Sequence, residues 1–563
     1  MPATINDIEF HVRSYRSALK SNLEITINSL TNPHNRLESI LHPYGENPAV
    51  IDFSALVYSL LRLPSEIDHL NLVVMGQNPD VFSQHGFPHI DTWPQCPSPA
   101  RRRTNFVNIS SGIIASLIGS ISDVDDIINN LIAYQVEWNK LHLIFVEKYK
   151  TIKEFRTAVK SGKIAQDLNA TPEDWSNFTS ALGQDFQKRF FTIYEKFHDL
   201  RIRLLAGSWI DYTKTVQRWW KNVASTVSHS TTKSPIHMSK SSIYFVSSNT
   251  HSLLNLFTGF PIKAKNILIS KIKKDRPQLY ELWQQIQAGN NSLPEPDFLF
   301  YVSKFYANDP ILKKMHSDLQ KQLDVITIPS SHILDINVQI FPLKNLVKSK
   351  YLSPQISIKD RRRIARSKAL IFNIDYPLGF AAYHILNEVL ENVYQLNGVY
   401  VLGKAAVLNS ELGDVEVPKV VFDEHTQNTY MFNNCFNTFF PFSNNQGSIL
   451  TNQKAVSVLG TFLENEALLK KYFDNNLTII EMESGPYLSA ISEATYDQQF
   501  PRNSIVDLHQ APFDVGIINY TSDTPYSKAK NLGTGSLQLN GAEPVYLGTL
   551  SILQRIINLE EQT

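Results

Sequence analysis

The chain has 563 residues, which is too long for one compact core, so we expect two or three domains. Hydrophobic residues make up 43% and charged residues 19%, which is typical of a folded soluble protein. Lys and Arg together number 53, as do Asp and Glu, so the formal net charge is zero. This balance argues against a general nucleic-acid binder, which would show a basic domain or stripe.

The cysteine content and the chain start indicate the cellular environment. The two cysteines, Cys96 and Cys435, lie far apart and offer neither a disulfide framework nor a zinc motif. The first residues lack the apolar core of a signal peptide, and no stretch approaches the ~20 apolar residues of a membrane span. We therefore expect a reduced, cytoplasmic protein without a membrane segment.

Residues 1–225 are predicted to form a mainly helical domain, whose role the sequence does not give. Residues 123–155 form one long amphipathic pattern, and Thr171 caps a helix expected to reach about Leu205. Only residues 69–76 are interpreted as a buried strand.

Two segments of the chain have no regular pattern. Residues 77–106 are Pro-rich and end in three arginines, while residues 226–235 are Ser/Thr-rich and are taken as the domain linker. Beyond it, residues 236–563 alternate apolar strands with helices, apart from an insertion at about 261–345. The strands are apolar runs without clean alternation, which predicts a three-layer α/β domain with a central mixed sheet.

Small residues follow two of these strands. ALIFNIDYPLGFAAYHIL (369–386) runs from a strand into a helix with Gly379 at the junction. VYVLGKAAVLNSELGDVEVP (399–418) ends its strand at Gly403, next to the positive charge of Lys404. Residues without bulky side chains let a ligand approach the backbone, and they equally suit close packing of a helix on a strand.

Carboxylates follow two further strands. If the strand continues to Glu483, alternation places Glu481 and Glu483 on the same side, and one carboxylate that accepts two adjacent hydroxyls is how a protein binds a ribose diol. Asp523 ends another strand, where it can protonate a purine N7 if its surroundings raise its pKa. An Asp shortly before Pro525 is also an ordinary turn former.

The order of these segments resembles that of the nucleoside phosphorylase and nucleosidase superfamily, whose fold is that of purine nucleoside phosphorylase. The resemblance covers roughly 240–260 and 365–563. It implies a turn that admits the substrate, a Met-Glu pair that holds the ribose, and a Ser-Asp pair with the general acid. The matching residues are Gly403, Lys404 and Ala405 in the turn, Met482 and Glu483 at the ribose, and Ser522 and Asp523 at the base.

The same resemblance implies the site of the attacking group. The loop after the first strand of the family matches Ser247, Ser248 and His251, which would lie beside the ribose C1′ and make His251 a second catalytic residue. Val401 stands where many phosphorylases have an Arg, and the Gly-Asp-Pro-x-Arg phosphate loop is absent. The Glu with which hydrolytic members activate water is absent too, since Asn249 and His251 stand there. Neither attacking group is secured, and hydrolysis is slightly favoured.

The resemblance implies cleavage of the N-glycosidic bond of a purine nucleoside or nucleotide, with inorganic phosphate as co-substrate if the reaction is phosphorolysis. It also implies a homo-oligomer without a cofactor. We expect no metal site, because Asp423, Glu424 and His425 are adjacent and point in different directions. The alternative is a non-catalytic nucleoside or nucleotide sensor coupled to a helical partner-binding domain. The missing arginines favour the sensor, and the Met-Glu and Ser-Asp pairs favour the enzyme.

Overall fold

A computed structural model describes residues 3–205, 207, 209–230, 236, 238–331, 334–441, 447–527 and 539–562. The chain is mixed α/β, with a mainly helical N-terminal part. In chain order the strands are β1 (Ile25–Thr26), β2 (Leu72–Gly76), β3 (Asn105–Asn108), β4 (Ile113–Leu117), β5 (Arg201–Leu204), β6 (Ser242–Ser247), β7 (Ile326–Ile328), β8 (Val338–Pro342), β9 (Leu370–Ile374), β10 (Gln395–Val407), β11 (Val415–Asp423), β12 (Asn428–Met431), β13 (Ile449–Ser457), β14 (Ile479–Glu481), β15 (Ile505–Asp507) and β16 (Asp514–Asp523).

The helices follow the same numbering. They are α1 (Ile5–Leu19), α2 (Asn28–Asn35), α3 (Phe53–Arg62), α4 (Pro79–Gln84), α5 (Ile121–Lys148), α6 (Ile152–Ser161), α7 (Lys163–Asp167), α8 (Pro172–Leu182), α9 (Phe186–Glu195), α10 (Trp209–Ser228), α11 (Ser252–Thr258), α12 (Phe260–Lys263), α13 (Lys265–Asp275), α14 (Pro277–Gln287), α15 (Glu295–Phe305), α16 (Pro310–Gln322), α17 (Arg361–Arg366), α18 (Ala381–Asn392), α19 (Glu466–Asp474), α20 (Ser484–Tyr496) and α21 (Leu539–Gln562).

The helical N-terminal part also carries a five-stranded sheet in the order β1-β5-β2-β4-β3. The strand predicted at 69–76 is confirmed as β2, which runs parallel to β4 and β5. The other strands of this sheet were not predicted. Strand β3 lies at the end of the Pro-rich segment 77–106, where the prolines and the arginine run obscure its short apolar pattern.

Helix starts were predicted better than helix ends. The Thr171 hydroxyl accepts a hydrogen bond from the backbone N–H of Asp174 at 3.1 Å, as expected of a cap. The helix does not reach Leu205, however, because α8 ends at Gly183, whose φ of 83° is strained for residues with a side chain. The long pattern of 123–155 is likewise divided, into α5 and α6.

The main sheet has eleven strands and is organised around β10. This strand pairs with three neighbours, parallel to β6 and β16 and antiparallel to β14. From β14 the pairing continues through β13 and β11 back to β16, so that these strands and β10 close into a ring. On the far side of β6, the strands β9, β8 and β7 extend the sheet as an open edge.

Both faces of the sheet are buried, as the apolar runs predict. In β6, Ile243 and Phe245 pack in a core with residues of α10, α18 and α20. The alternating residues Tyr244 and Val246 pack in a second core with residues of α11 and α21. The strand therefore lies between two helical layers, which gives the expected three-layer arrangement.

A further core joins the N-terminal helices to the main sheet. It contains Leu131 and Ile132 of α5 together with Val456, Leu469 and Ile480 of the strands and helix around 449–481. The boundary at 226–235 stays a prediction: α10 reaches Ser228, and residues 231–235 lie outside the described part of the chain.

The segment 261–345, predicted as an insertion, contains the helices α12 to α16 except for the first residue of α12. These helices form a small core of their own. In its last part β8 pairs with β9 and β7 pairs with β8, so these two strands widen the main sheet. Within the described residues, no helix combines the length and the apolar character that crossing a membrane requires.

We predict that Gly259→Ala destabilises the fold more than Gly162→Ala. Both glycines have positive φ, of 68° and 74°, where a side chain adds about 1–2 kcal/mol of backbone strain. A Cβ on Gly259 would also lie 2.1 Å from the carbonyl oxygen of Tyr351, whereas one on Gly162 meets no atom within 4 Å. The clash should add about 1–3 kcal/mol, measured as a larger fall in melting temperature. Equal falls for the two variants would contradict this packing.

Candidate functional site

A cavity of about 370 Å³ lies between the N-terminal part and the strand ends of the main sheet. We call it the strand-end cavity, and its volume lies in the usual range of small-molecule pockets. Its polar and charged lining comprises Tyr58, Arg62, Arg101, Arg102, Arg103, Thr104 and Asp123 from the N-terminal part, and Asp335, Tyr376, Lys404, Thr461, Glu464, Glu481, Glu483, Ser522, Asp523 and Thr524 from the rest of the chain.

Strand β10 brings the predicted residues together. Its residues Gly403, Lys404 and Ala405 line the cavity. The pairing of β10 with β16 shifts register after Ala405, so that Ala406 lies opposite Asp523. On its other side, Ala406 lies opposite Ile480, just before β14 ends at Glu481. The ends of three strands therefore meet at one point of the sheet.

Glu481 and Glu483 do not act as a pair, although both line the cavity. The expectation from strand alternation is wrong here, because β14 ends at Glu481. The Glu481 carboxylate accepts hydrogen bonds from the backbone N–H groups of Glu483 (2.8 Å) and Ser484 (2.7 Å), and from the Ser457 hydroxyl. Glu481 thus satisfies the backbone at the start of α20, as a capping side chain does.

The Glu483 carboxylate is the more available of the two. One of its oxygens accepts a hydrogen bond from the backbone N–H of Gly379 at 3.2 Å. Burial and then the neighbouring Glu481 raise the pKa of Glu483 to about 7. A small change in its surroundings, such as a bound ligand, therefore decides its charge near neutral pH.

Asp523 lies at the end of β16 and is 1% exposed. Its Oδ1 accepts a hydrogen bond from the backbone N–H of Thr524 at 2.9 Å. The preceding Ser522 donates its hydroxyl to the carbonyl oxygen of Ala405 at 3.3 Å, which links the end of β16 to β10. Met482 lies in the same lining between the two glutamates.

The loop at Gly379 and Phe380, next to Glu483, is held by a series of side chains from both parts of the protein. The backbone N–H of Phe380 donates to the Ser122 hydroxyl of α5 at 2.9 Å, and Ser122 lies 3.3 Å from His425 Nε2. His425 Nδ1 lies 3.0 Å from an Asp423 oxygen. A Cβ on Gly379 would come within 2.4 Å of the Ser122 hydroxyl. This glycine is therefore required for packing, one of the two roles expected of it.

The loop after β6 does not join the lining. Ser247, Ser248 and His251 are not among the residues that line the strand-end cavity. Ser248 donates its hydroxyl to Asn373 Oδ1 at 2.8 Å, and Asn249 accepts from the backbone N–H groups of His251 and Ser252, which turns the chain into α11. The His251 ring stacks on Phe300 with ring centroids 5.8 Å apart, and burial lowers the His251 pKa to about 3.

The arginines of the lining were not predicted as site residues. Arg101 forms a bidentate pair with Asp126, with distances of 3.1 and 2.8 Å, and Arg103 bonds the same carboxylate at 2.9 Å. Arg102 pairs with Asp375 and is 44% exposed along its side chain. The only sequence signal was the run of three arginines before β3. The sequence did not indicate which residues these arginines would contact.

Arg62, at the end of α3, differs from these arginines. Its side chain is 3% exposed, and its guanidinium carbon lies 3.3 Å from the centre of the Tyr58 ring. Its Nη1 donates to the Tyr58 carbonyl oxygen at 3.1 Å, while the buried Nε has no hydrogen-bond partner among the described residues. Burial lowers the pKa of Arg62 to about 10.

Within the described part of the chain, no three His, Cys, Asp or Glu side chains are grouped as metal ligands. In the segment 423–425, Asp423 bonds His425, while Glu424 accepts from the Tyr472 hydroxyl and from the backbone N–H of Leu459. The three side chains therefore serve local structure in different directions.

The sequence matches a family of unknown function, DUF6909, over residues 27–558. The chain belongs to this family. No curated protein matches the sequence.

Solved structures similar to this one include nucleosidases and phosphorylases. A 5′-methylthioadenosine/S-adenosylhomocysteine nucleosidase from Colwellia psychrerythraea 34H, in complex with adenine, has 12% identity and a TM-score of 0.28, covering 42% of this chain and 90% of its own. Isoform 2 of uridine phosphorylase from Schistosoma mansoni, in complex with citrate, has 11% identity and a TM-score of 0.30, covering 57% and 88%. Similarity at this level carries no argument about the activity of this chain.

We predict that Glu464→Gln stabilises the protein at pH 9 and changes its stability little at pH 5. Burial and then the neighbouring Glu424 raise the pKa of Glu464 to about 8, above its ordinary value of 4.5. The folded state thus favours the protonated acid, so its contribution is fully present below pH 4.5 and is lost as the pH rises through about 8. Glutamine cannot ionise, and one pKa unit corresponds to about 1.4 kcal/mol.

The measurement is the melting temperature of both proteins at pH 5 and pH 9. Glu466→Gln is the matched control, because Glu466 is exposed at the start of α19 and loses the same charge in solvent. Its difference from the unmodified protein should be the same at both pH values. A constant difference for Glu464→Gln would show that Glu464 is not held as a neutral acid.

Proposed function

We propose that the chain cleaves the N-glycosidic bond of a nucleoside or nucleotide, with purines as the preferred bases and hydrolysis slightly favoured over phosphorolysis. The observation that supports this most directly is the convergence of Glu483, Asp523 and Lys404 on the strand-end cavity. They come from the ends of three different strands. Side chains that act on one substrate must converge in this way.

In this proposal Glu483 holds the ribose. Its carboxylate is oriented by the N–H of Gly379 and has the capacity to accept two further hydrogen bonds, which suits the adjacent 2′ and 3′ hydroxyls. Met482 lies beside it and supplies an apolar contact for the sugar ring. The ionised carboxylate forms stronger hydrogen bonds than a neutral group would.

Asp523 acts on the leaving base. As the C1′–N bond breaks, its electron pair moves to the base, and the Asp523 carboxyl group transfers a proton to a ring nitrogen. The Thr524 N–H holds the other carboxyl oxygen, which orients the acid. The sugar passes through a ribosyl cation-like state, which captures the oxygen of water or phosphate at C1′, and the proton that the attacking group then loses restores the Asp523 acid directly or through solvent.

The attacking group is the least supported part of the proposal. The residues matched to it by sequence, Ser247, Ser248 and His251, do not line the strand-end cavity. Val401 at the position of the phosphorylase arginine favours water over phosphate. Hydrolysis by water does not require an anion-binding site for the attacking group, whereas phosphorolysis does.

A nucleotide sensor is the second candidate. It is favoured by the lining itself, because the N-terminal part contributes Tyr58 and four arginines to the cavity. A ligand held there would contact both parts of the chain and would stabilise their association. Tight binding of a nucleotide without release of base would support the sensor and exclude the enzyme.

The deciding experiment is a screen of the purified chain with nucleosides and nucleoside 5′-monophosphates, each with and without inorganic phosphate. The expected result is free base in the absence of phosphate. Strict dependence on phosphate, with ribose 1-phosphate as the product, would show phosphorolysis instead. No free base from any compound would refute the glycosidase proposal.

We predict that Asp523→Asn lowers turnover by roughly 10²–10⁴-fold, because the amide keeps the size of the side chain but has no acidic proton to deliver. Substrate binding should change little. The control is Asp497→Asn, the same substitution after α20 on a residue with a φ of 52°, a conformation that Asn also adopts readily. Undiminished base release by folded Asp523→Asn protein would remove the assignment.

We predict that Glu483→Gln weakens substrate binding and also slows turnover. A charged acceptor of two ribose hydroxyls becomes neutral, and each hydrogen bond to a charged group contributes about 1.5–3 kcal/mol. A rise in KM of at least about tenfold is expected. Glu481→Gln provides the contrast: it weakens the three hydrogen bonds that start α20, so it should lower the melting temperature first. Equal effects of the two variants on KM and melting would contradict the separate roles.

A further inference from the structure

The strand-end cavity contains more cationic side chains than its paired carboxylates explain. The charges of Arg101, Arg102 and Arg103 are each compensated by an aspartate at ion-pair distance. Two cations remain, Arg62 and Lys404, for which the described residues provide no ion pair.

Arg62 is a buried cation with polar contacts but no ion pair of its own among the described residues, since the nearby Asp126 carboxylate is bonded to Arg101 and Arg103. It stacks on the Tyr58 ring, donates one hydrogen bond to the Tyr58 carbonyl, and keeps its Nε without a partner among the described residues. A buried charge is costly unless an opposite charge compensates for it. The Tyr58 ring and carbonyl oxygen offset part of this cost, but neither carries a negative charge.

Lys404 faces the same cavity from β10. Its side chain keeps accessible surface because it projects into the open space, and no hydrogen bond engages its ammonium group within the described part of the chain. Although Lys404 is exposed to the solvent of the cavity, the surrounding protein desolvates its ammonium group, and this desolvation, followed by the positive charges of Arg62 and Arg101, lowers the pKa of Lys404 to about 8. The Glu483 and Asp523 carboxylates oppose this shift. Arg62 and Lys404 line the same cavity, and an anion bound between them would relieve their mutual repulsion.

We propose that Arg62 and Lys404 bind a phosphate group of the ligand that occupies the strand-end cavity. A planar guanidinium and a compact ammonium are two cationic donors that proteins use for phosphate oxygens. The phosphate has two chemical sources, the 5′-phosphate of a nucleotide substrate or inorganic phosphate beside a nucleoside. The placement of a ribose and a base next to this phosphate depends on the proposed function. The anion site itself depends only on Arg62 and Lys404.

The test uses Arg62→Met and Lys404→Met in the full chain, with Arg189→Met as the matched control. Arg189 is also an arginine of low exposure, but it pairs with Asp68 at 2.9 Å and does not line the cavity. Without ligand, Arg62→Met should melt at the same or a higher temperature than the unmodified protein, because an uncompensated charge is removed. Arg189→Met should melt lower, because Asp68 loses its partner.

Binding is then measured by calorimetry with ribose 5-phosphate, ribose and inorganic phosphate. Ribose 5-phosphate or inorganic phosphate should bind the unmodified protein and the Arg189→Met control alike, and at least tenfold more weakly to Arg62→Met and Lys404→Met. Binding of ribose should not depend on either cation. Preference for ribose 5-phosphate by tenfold or more assigns the site to the substrate's own phosphate, and equal binding of inorganic phosphate assigns it to a co-substrate.

Two results would overturn the site. One is that neither phosphate-bearing probe binds the unmodified protein, and the other is that folded Lys404→Met and Arg62→Met bind them undiminished. If Arg62→Met fails to fold, Lys404→Met alone decides the test. This variant should fold, because the Lys404 ammonium group makes no hydrogen bond or ion pair among the described residues. Because binding is measured without turnover, absence of base release would refute the proposed function and leave this result standing.

Discussion

The closed pairing around strand β10 is the constraint on which the other features of the cavity depend. Since β10 hydrogen-bonds to β6, β14 and β16, its residues 403–406 cannot move independently of the strand ends beside them. The pairing with β16 shifts register after Ala405, where Ala406 lies between Asp523 of β16 and Ile480 of β14. Such an irregularity re-aims side chains at the end of a pairing, which is why Asp523 and Glu483 border the same space.

The charges in the cavity respond to burial in opposite directions. The pKa of Glu483 rises to about 7 and that of Lys404 falls to about 8, each with burial as the first cause. Both shifts move the groups towards their neutral forms, which reduces the charge that the cavity holds. Groups poised in this manner concentrate at functional sites, although structural networks produce the same pattern.

Sequence reasoning captured the strands of the main sheet and the residues that follow them. Apolar runs without alternation identified strands buried on both faces, and Gly403–Ala405, Met482–Glu483 and Ser522–Asp523 lie together because strand ends meet. Arg62 was missed, because the residues around it in its apolar helix do not indicate that it lies next to the cavity. The loop after β6 was expected to line the site and does not. The Asn249 side chain accepts hydrogen bonds from the backbone of the same loop, and the spacing of residues in the sequence does not reveal such a contact. Only β2 of the N-terminal sheet was predicted, because the other strands have two to five residues and too short an apolar pattern to identify them.

The core that α5 shares with β13, β14 and α19 limits how the protein can move. Leu131 and Ile132 pack with Val456 and Leu469, so rotating the N-terminal helices away as a rigid body would expose a continuous apolar surface to water. Hinge opening is therefore an expensive route for a ligand to reach the strand ends. Rearrangement of single side chains at the rim is cheaper, and the half-exposed Arg102, held to the carbonyl of Tyr376 and to Asp375, is the side chain whose release would widen the passage with least loss of packing.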